Sequence, residues 1–261
     1  MNELDDLLTW LRDACDRYEL EPVAVFRKRG QHAWPLRATD ADDLAAQLEV
    51  GGHFLPLPKE PAALANVIEV SLVDFLLKHA EGRDDITFTR GTERGYPDFE
   101  ITGTAFGGHF YAIDVKSARR KSTKSGKVNP NKTQSRITLY TGNTYFRWPE
   151  LHWPGTFRPF ENYQAHLDII AIYTLDEGLK SRIRDFELIV QESWRIASKQ
   201  RSSTTREYLG AVNDIERLRR GHGEFKTKEA FYKFWRAHPF KIGKATEKQL
   251  RKLLDAKRGG R

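Results

Sequence analysis

The feature that most constrains the fold is a hairpin pattern near the middle of the chain. Phe99 and Ile101 alternate with polar neighbours, the two-residue period of a half-buried strand. Gly107 and Gly108 supply a turn, and Phe110 to Val115 form the next strand. Strand side chains alternate between faces, so Ala112, Asp114 and Lys116 share one face while Ile113 and Val115 point the other way, towards a core. Folding the first strand back on the second brings Asp98, sixteen residues upstream of Asp114, close to that carboxylate.

Two carboxylates held close together repel each other unless a cation lies between them. Magnesium suits such a pair, because it takes hard oxygen ligands and keeps several waters. The backbone carbonyl of Val115 lies between the two side chains of the triplet and is a further candidate ligand. Lys116 is then placed to orient an attacking water and to stabilise charge building on a phosphate. An Asp-x-Lys on a strand is by itself a common surface ion pair. The upstream Pro97-Asp98 and the intervening turn make the pattern specific.

Pro61 to Ala80 reads as a long helix, with Leu64, Val67, Ile68, Leu72, Phe75 and Leu76 apolar over more than one face, so the helix is expected to be well buried. Glu69 lies in it with Ala65, Leu72 and Leu76 as neighbours on the helix surface. A carboxylate there is costly unless paired or turned to a cation. Glu69 is therefore a candidate accessory acid and metal ligand beside the site; the alternative is a partly exposed residue at the helix edge.

The rest of the chain divides around this unit. Asn2 to Tyr18 has helical spacing, Val23 to Phe26 is a short strand candidate, and Ala38 to Leu48 is a short helix with Thr39 as its cap. Glycines and prolines between 51 and 61 mark a boundary, so 1–60 is expected to form an N-terminal subdomain that aids dimerisation. Residues 61–240 are expected to form the main unit around the Asp98–Asp114–Lys116 pattern, the catalytic and DNA-recognition domain, and 241–261 a basic tail. Ile86 to Thr89, Asp168 to Leu175 and Asp185 to Val190 read as strands, the second as a central one; Lys226 to Trp235 is helical. Ser122 to Pro130 and Trp148 to Pro159 have loop composition. Helices mixed with a few strands argue for an α/β (α+β mixed) fold, one sheet covered by helices.

Net charge is +7, and its distribution says more than its size. Val115 to Arg136 holds eight lysines and arginines and no acidic residue, and Phe240 to Arg261 holds eight basic against two acidic residues. Both segments are candidate phosphate contacts along DNA, Arg119, Arg120 and Lys121 above all, because they continue the strand that carries Lys116. The single cysteine excludes a disulfide framework and a multi-cysteine zinc site. No apolar run reaches membrane-spanning length, and the acidic N-terminus lacks a secretory pattern, so an intracellular setting is expected. His79, His109, His152 and His166 show no ligand spacing among themselves and are expected to be structural or surface groups.

These residues resemble the PD-(D/E)xK nuclease superfamily and, within it, the EcoRV family of type II restriction endonucleases. The likeness runs through Glu69, Tyr96-Pro-Asp-Phe99, Ala112-Ile-Asp-Val-Lys116, Pro159-Phe-Glu-Asn-Tyr163, Ala165-His166 and Ile172-Tyr-Thr174, in order and with matching spacing. It covers residues 60–240 and is fainter at Trp34-Pro-Leu36.

The resemblance implies a restriction-endonuclease-like core with a mixed sheet flanked by helices. It also implies a homodimer on double-stranded DNA, Mg²⁺ as cofactor, a palindromic site with a blunt central cut, and a bacterial cytoplasmic setting. Carried over by residue, Asp98 and Asp114 hold the metal, Lys116 is the active-site lysine and Glu69 the accessory acid. A cognate DNA methyltransferase is expected in the same system, not as a physical partner.

The likeness weakens where bases are read. The two loops are Arg90 to Gly95, with Arg94, and Gln200 to Glu207, with Arg201, Ser203, Thr204, Thr205 and Arg206. Arginine favours guanine and asparagine adenine, so Arg206 in place of an expected asparagine predicts a different recognition sequence. A structure-specific or repair nuclease with the same metal site, and a catalytically dead DNA-binding protein, are the competing readings. The intact acidic pair with its lysine argues against the second, and the retained recognition-loop region against the first.

Overall fold

The computed structural model describes residues 2–20, 39, 61–92, 95–123, 125–176, 178–179, 183–203 and 206–259. The expected strand at Val23 to Phe26 lies outside the described residues, as does the expected helix at 38–48 apart from Thr39.

Helix α1 (Glu3–Asp16) is capped by Asn2, whose side chain accepts from the Leu4 N–H at 3.3 Å. It buries Leu7, Leu8, Leu11 and Ala14, four of the five apolar residues whose spacing predicts the helix; Leu4 is only partly buried, and Cys15 is buried as well. Helix α2 (Pro61–Ala80) has the bounds expected from sequence, with proline in the first position, where its missing N–H has no intrahelical partner to lose. Strands β1 (Thr87–Arg90), β2 (Phe99–Thr102) and β3 (Tyr111–Ser122) follow. Next come β4 (Val128–Thr133), β5 (Thr138–Thr141), β6 (Ala165–Leu175) and β7 (Ile183–Glu192). A single turn, α3 (Ser193–Ile196), leads to β8 (Ala197–Arg201) and β9 (Tyr208–Ala211). The chain then forms α4 (Ile215–Arg220), α5 (Lys228–Ala237) and α6 (Lys244–Gly259).

The main sheet has the order β1-β2-β3-β6-β7, with β4 paired to the far end of β3. β3 and β6 are parallel and the other pairs antiparallel, so the sheet is mixed. β6 is central, as its apolar run predicts, and is buried along nearly its whole length. A second, three-stranded sheet has the order β5-β9-β8.

Two layers of core cover the main sheet. On one face, Leu7 and Leu11 of α1 and Leu72 and Leu76 of α2 pack on Phe99, Ile101, Ile113, Val115, Leu167 and Ile169. On the other, Ile170, Ile172 and Ile189 pack against the small sheet and the C-terminal helices through Leu139, Leu209, Leu218, Phe231 and Trp235. Leu64 and Ile68 fill a smaller cluster with Ala171 and Tyr173. Truncating a fully buried leucine such as Leu72 to alanine removes about 2–5 kcal/mol by lost transfer energy and the cavity left behind.

The segment read as loop from Ser122 to Pro130 contains the end of β3 and the start of β4. The basic stretch after Phe240 is mostly helix, with Leu250, Leu253 and Leu254 packed on the second core while Lys244, Lys248, Arg251 and Lys252 are exposed.

Candidate active site

The hairpin forms in the expected register, with Phe99 opposite Ile113 and Glu100 opposite Ala112. Gly107 and Gly108 both lie at positive φ, 70° and 71°, which side chains resist and glycine accepts. Asp98 stands just before β2, and its Oδ2 accepts the Val115 N–H at 2.6 Å. The carboxylate thus takes the place of a strand partner for Val115 and is fixed beside the triplet.

A second restraint acts on the Asp98 backbone. The Gly91 N–H donates to the Asp98 carbonyl at 2.7 Å, and a Cβ at Gly91 would lie 2.3 Å from the Pro97 oxygen and 2.8 Å from that of Asp98. Gly91→Ala is expected to push the Pro97-Asp98 segment away from β3 and cut activity while leaving far-ultraviolet circular dichroism unchanged. Wild-type activity in this variant would show that the close approach is dispensable.

Asp98 and Asp114 lie within hydrogen-bonding reach of each other. Burial and then the Asp114 charge hold the Asp98 carboxyl well above the usual carboxylate range, with Lys116 opposing. Lys116 is ion-paired to Asp114 Oδ2. Burial alone would lower its ammonium, but Asp114, Asp98 and Asp168 together outweigh burial and raise it, so the lysine stays charged. Ala112 is buried on the same face, and Ile113 and Val115 lie in the core as the alternation predicts.

Glu69 is half-buried; burial and then the charge of Asp114 raise its carboxyl, while Lys116 and Arg90 oppose. It is within electrostatic reach of the pair but stands back from it. Among the described residues, no group of three or more histidine, cysteine or acidic side chains is placed to share one ion. Two close carboxylates on one cavity are nonetheless a donor set that fits Mg²⁺, an ion content with few protein ligands.

Aromatic groups hold the preceding segment. His166 is buried; the Tyr96 hydroxyl is 2.8 Å from Nδ1, and Nε2 is 3.1 Å from the Phe160 carbonyl. A carbonyl only accepts, so Nε2 carries the proton and Nδ1 accepts from Tyr96. Burial pushes this imidazole down to about 3, so it stays neutral and structural, and anchors Tyr96-Pro97-Asp98. Glu100, also buried, pairs with Arg158 at 2.7 and 3.1 Å, and the guanidinium lies over the Phe110 ring. The segment from Trp153 to Arg158 is thereby tied to the hairpin, with Tyr96 bridging to Thr156.

A cavity of about 680 Å³ opens above the pair, lined by Asp98, Asp114 and Lys116, by Tyr140 and Tyr208 of the small sheet, and by Gln249 of α6. The expected recognition loop is the tip of the β8–β9 hairpin. There Arg201 pairs with Glu207 at 2.8 Å, the Ser203 hydroxyl accepts the Arg206 N–H, and the exposed Arg206 side chain lies over Tyr208. Arg94, Thr204 and Thr205 lie outside the described residues.

The basic run on β3 is split by strand alternation. Lys121 is exposed and Arg119 lines a shallow cavity with Arg136. Arg120 is buried, its guanidinium engaged by Glu187 and the Asp185 carbonyl, which leaves it a tie between strands rather than an open phosphate contact.

Sequence reasoning missed Asp168. It stands beside Asp114 in the parallel β3–β6 register and is 1% exposed. The signal was a lone carboxylate between Leu167 and Ile169 in a strand expected to be central and buried.

The model of the restriction endonuclease EcoRV family matches residues 31–257. Among solved structures, a crystal structure of the restriction endonuclease BglI bound to its DNA recognition sequence is similar at 16% identity and a TM-score of 0.40, covering 83% of this chain and 85% of that one. A search of curated protein sequences found no match. Among the described residues no helix is long and apolar enough to cross a membrane. With the family model spanning most of the chain and the hairpin site inside the match, the protein belongs to the EcoRV family of restriction endonucleases.

Proposed function

We propose that this protein is a type II restriction endonuclease, a Mg²⁺-dependent enzyme that hydrolyses phosphodiester bonds of double-stranded DNA at a short palindromic site. The observation that carries this reading is the pairing of Asp98 with Asp114 beside a charged Lys116 at the floor of an open cavity.

Asp98 and Asp114, with the Val115 carbonyl, would hold the ion, and Glu69 would bias the site from behind. When bound, Mg²⁺ polarises the scissile P–O bond and makes a bound water more acidic. Asp98 is positioned for this by the Val115 N–H and Asp114 by β3 itself. Lys116 directs its ammonium at the nucleophile and offsets negative charge developing on the phosphate. The products are a 5′-phosphate and a 3′-hydroxyl, with blunt ends implied by the family.

DNA would lie across the cavity, with Lys121, Arg119 and the exposed basic side of α6 on phosphates and the β8–β9 tip towards the bases. The family resemblance further suggests a homodimer, because a palindromic site needs one active site on each strand. It suggests a bacterial cytoplasmic setting with a protective methyltransferase as well.

Digestion of unmethylated phage DNA with Mg²⁺, followed by sequencing of the ends, is expected to give discrete fragments with one repeated terminal sequence. Random ends, or ends at branched structures only, would reject site specificity. Sedimentation with DNA is expected to show a dimer; a monomer at micromolar concentration would remove the two-fold model.

Arg206 tests base reading separately. If it reads guanine, Arg206→Ala costs about 1–3 kcal/mol of discrimination at one position of each half-site. Equal weakening on every mismatched oligonucleotide would instead assign it to phosphate.

A further inference from the structure

Asp168 is a carboxylate where the strand pattern calls for an apolar residue. It lies on the face of β6 shared with Ile170 and Ile172, beside Asp114 on the neighbouring strand. Ser193 is within hydrogen-bonding reach, yet Oδ2 has no hydrogen-bond partner among the described residues. A buried carboxylate with a bare oxygen is costly unless a charge compensates it. Lys116 supplies that charge: its ammonium favours ionised Asp168, and Asp168 in turn helps to keep the ammonium charged.

Lys116 therefore faces two buried carboxylates. It is paired with Asp114, and Asp168 stands behind with an oxygen to spare. A divalent cation on Asp114 competes with the ammonium for Oδ2 and repels it. Asp168 stands opposite Asp114 in the β3–β6 register, so it is the diagonal neighbour of Lys116 on the same face, at the roughly 7–8 Å that a long side chain can span.

We propose that Asp168 is a positioning residue for Lys116, taking over the ammonium when Asp114 turns to a divalent cation and so keeping the lysine inside the site. This rests on the assignment of Asp98 and Asp114 as the metal-holding pair. Asp168 has no contact with substrate in this scheme; it acts through the lysine.

Calcium ion serves as the probe, with calorimetric titration of the whole protein as the readout, so that no turnover is involved. Ca²⁺ binding should be lost in Asp114→Ala; if it persists there, the metal assignment itself fails, and this proposal with it. Asp168→Asn should weaken Ca²⁺ binding about tenfold when Lys116 is present, the usual scale for a group behind the ligands. The reason is that an ammonium displaced from Asp114 then has no buried counter-ion. In a Lys116→Met background, Asp168→Asn should leave Ca²⁺ affinity unchanged. An equal effect in both backgrounds, or none in either, overturns the proposal.

A measurement on the unsubstituted protein covers the case in which Asp168→Asn does not fold. In ¹⁵N-lysine spectra, the Lys116 ammonium signal, identified by its absence in Lys116→Met, should shift on Ca²⁺ addition and remain protected from exchange with water. Loss of that protection on Ca²⁺ binding would show that the lysine swings out to solvent, and would overturn the proposal.

Discussion

Asp114→Ala cleaves no DNA in the presence of Mg²⁺, yet still binds its site in a gel shift: that is the expected result with the largest effect on activity. The variant removes one of two carboxylates at the floor of the cavity, and one alone holds a reluctantly dehydrated ion poorly. DNA binding is expected to survive, because the proposed phosphate contacts lie elsewhere and one repulsive charge has gone. For Asp98 the informative change is Asp98→Asn, since an amide oxygen can still accept the Val115 N–H that Asp98 Oδ2 accepts at 2.6 Å. The fold is then kept while the charge is lost, and cleavage should again disappear. Lys116→Ala should lower kcat by about 10²–10³ through loss of transition-state stabilisation, with the acidic pair intact. Glu69→Ala should be milder than any of these, because Glu69 stands back from the pair. Substantial Mg²⁺-dependent cutting by Asp114→Ala would falsify the assignment.

The second large effect concerns stability against pH without metal. Asp98 is raised in the folded protein by burial and by Asp114, above an unfolded value of about 4. A raised carboxylate binds its proton more tightly when folded. Its contribution is therefore fully present below pH ~4 and is lost as pH climbs through the raised folded value. Asp168, pushed up to about 7 by burial first, acts in the same direction between those limits. The metal-free protein should accordingly melt lower at pH 8 than at pH 6. Divalent cation should restore the loss, most at the higher pH, and release protons as it binds. His166 acts oppositely: buried neutral and lowered to about 3, it favours the fold above about 6.5 and withdraws that support as pH falls towards 3. Melting curves at several pH values, with and without Ca²⁺, check both signs. A metal-free melting point that rises steadily from pH 6 to pH 8 and ignores Ca²⁺ would contradict the paired-carboxylate picture.

The elements legible in the sequence are those with long or doubled signals. The Pro61–Ala80 helix has apolar residues throughout, and the β2–β3 hairpin has alternation on both arms and two glycines at its turn. Strand β6 announced itself by the apolar run from Ile169 to Tyr173. Strands β5, β8 and β9 have four or five residues each, too few to set up a period, and β5 takes its place by pairing with the distant β9. Strand β4 is largely exposed and exists because β3 runs long enough to pair with it, so its composition looks like loop. In the tail, charge masked the apolar spacing of Leu250, Leu253 and Leu254. Asp168 was hidden for the opposite reason: its neighbours set the reading of the strand, and the register that puts it beside Asp114 is a long-range fact.

That register also sets the order in which the proposed nuclease site can be completed. The β2–β3 hairpin carries Asp98, Asp114 and Lys116 within twenty residues, but alone it leaves Ile113 and Val115 bare on one side and has no β6 alongside. An isolated two-stranded hairpin is marginal in water. The parallel partner of β3 begins only at Ala165, after a connection that includes β4 and β5. Contacts so distant in sequence form late, because the entropy of closing the loop is lost before they can offset it. A chain still emerging from synthesis, or clipped before residue 165, therefore displays the chemical groups of a nuclease without the rigid floor that aims them. On the proposed function, cleavage would wait for completion of the sheet, and a half-made molecule would lack it.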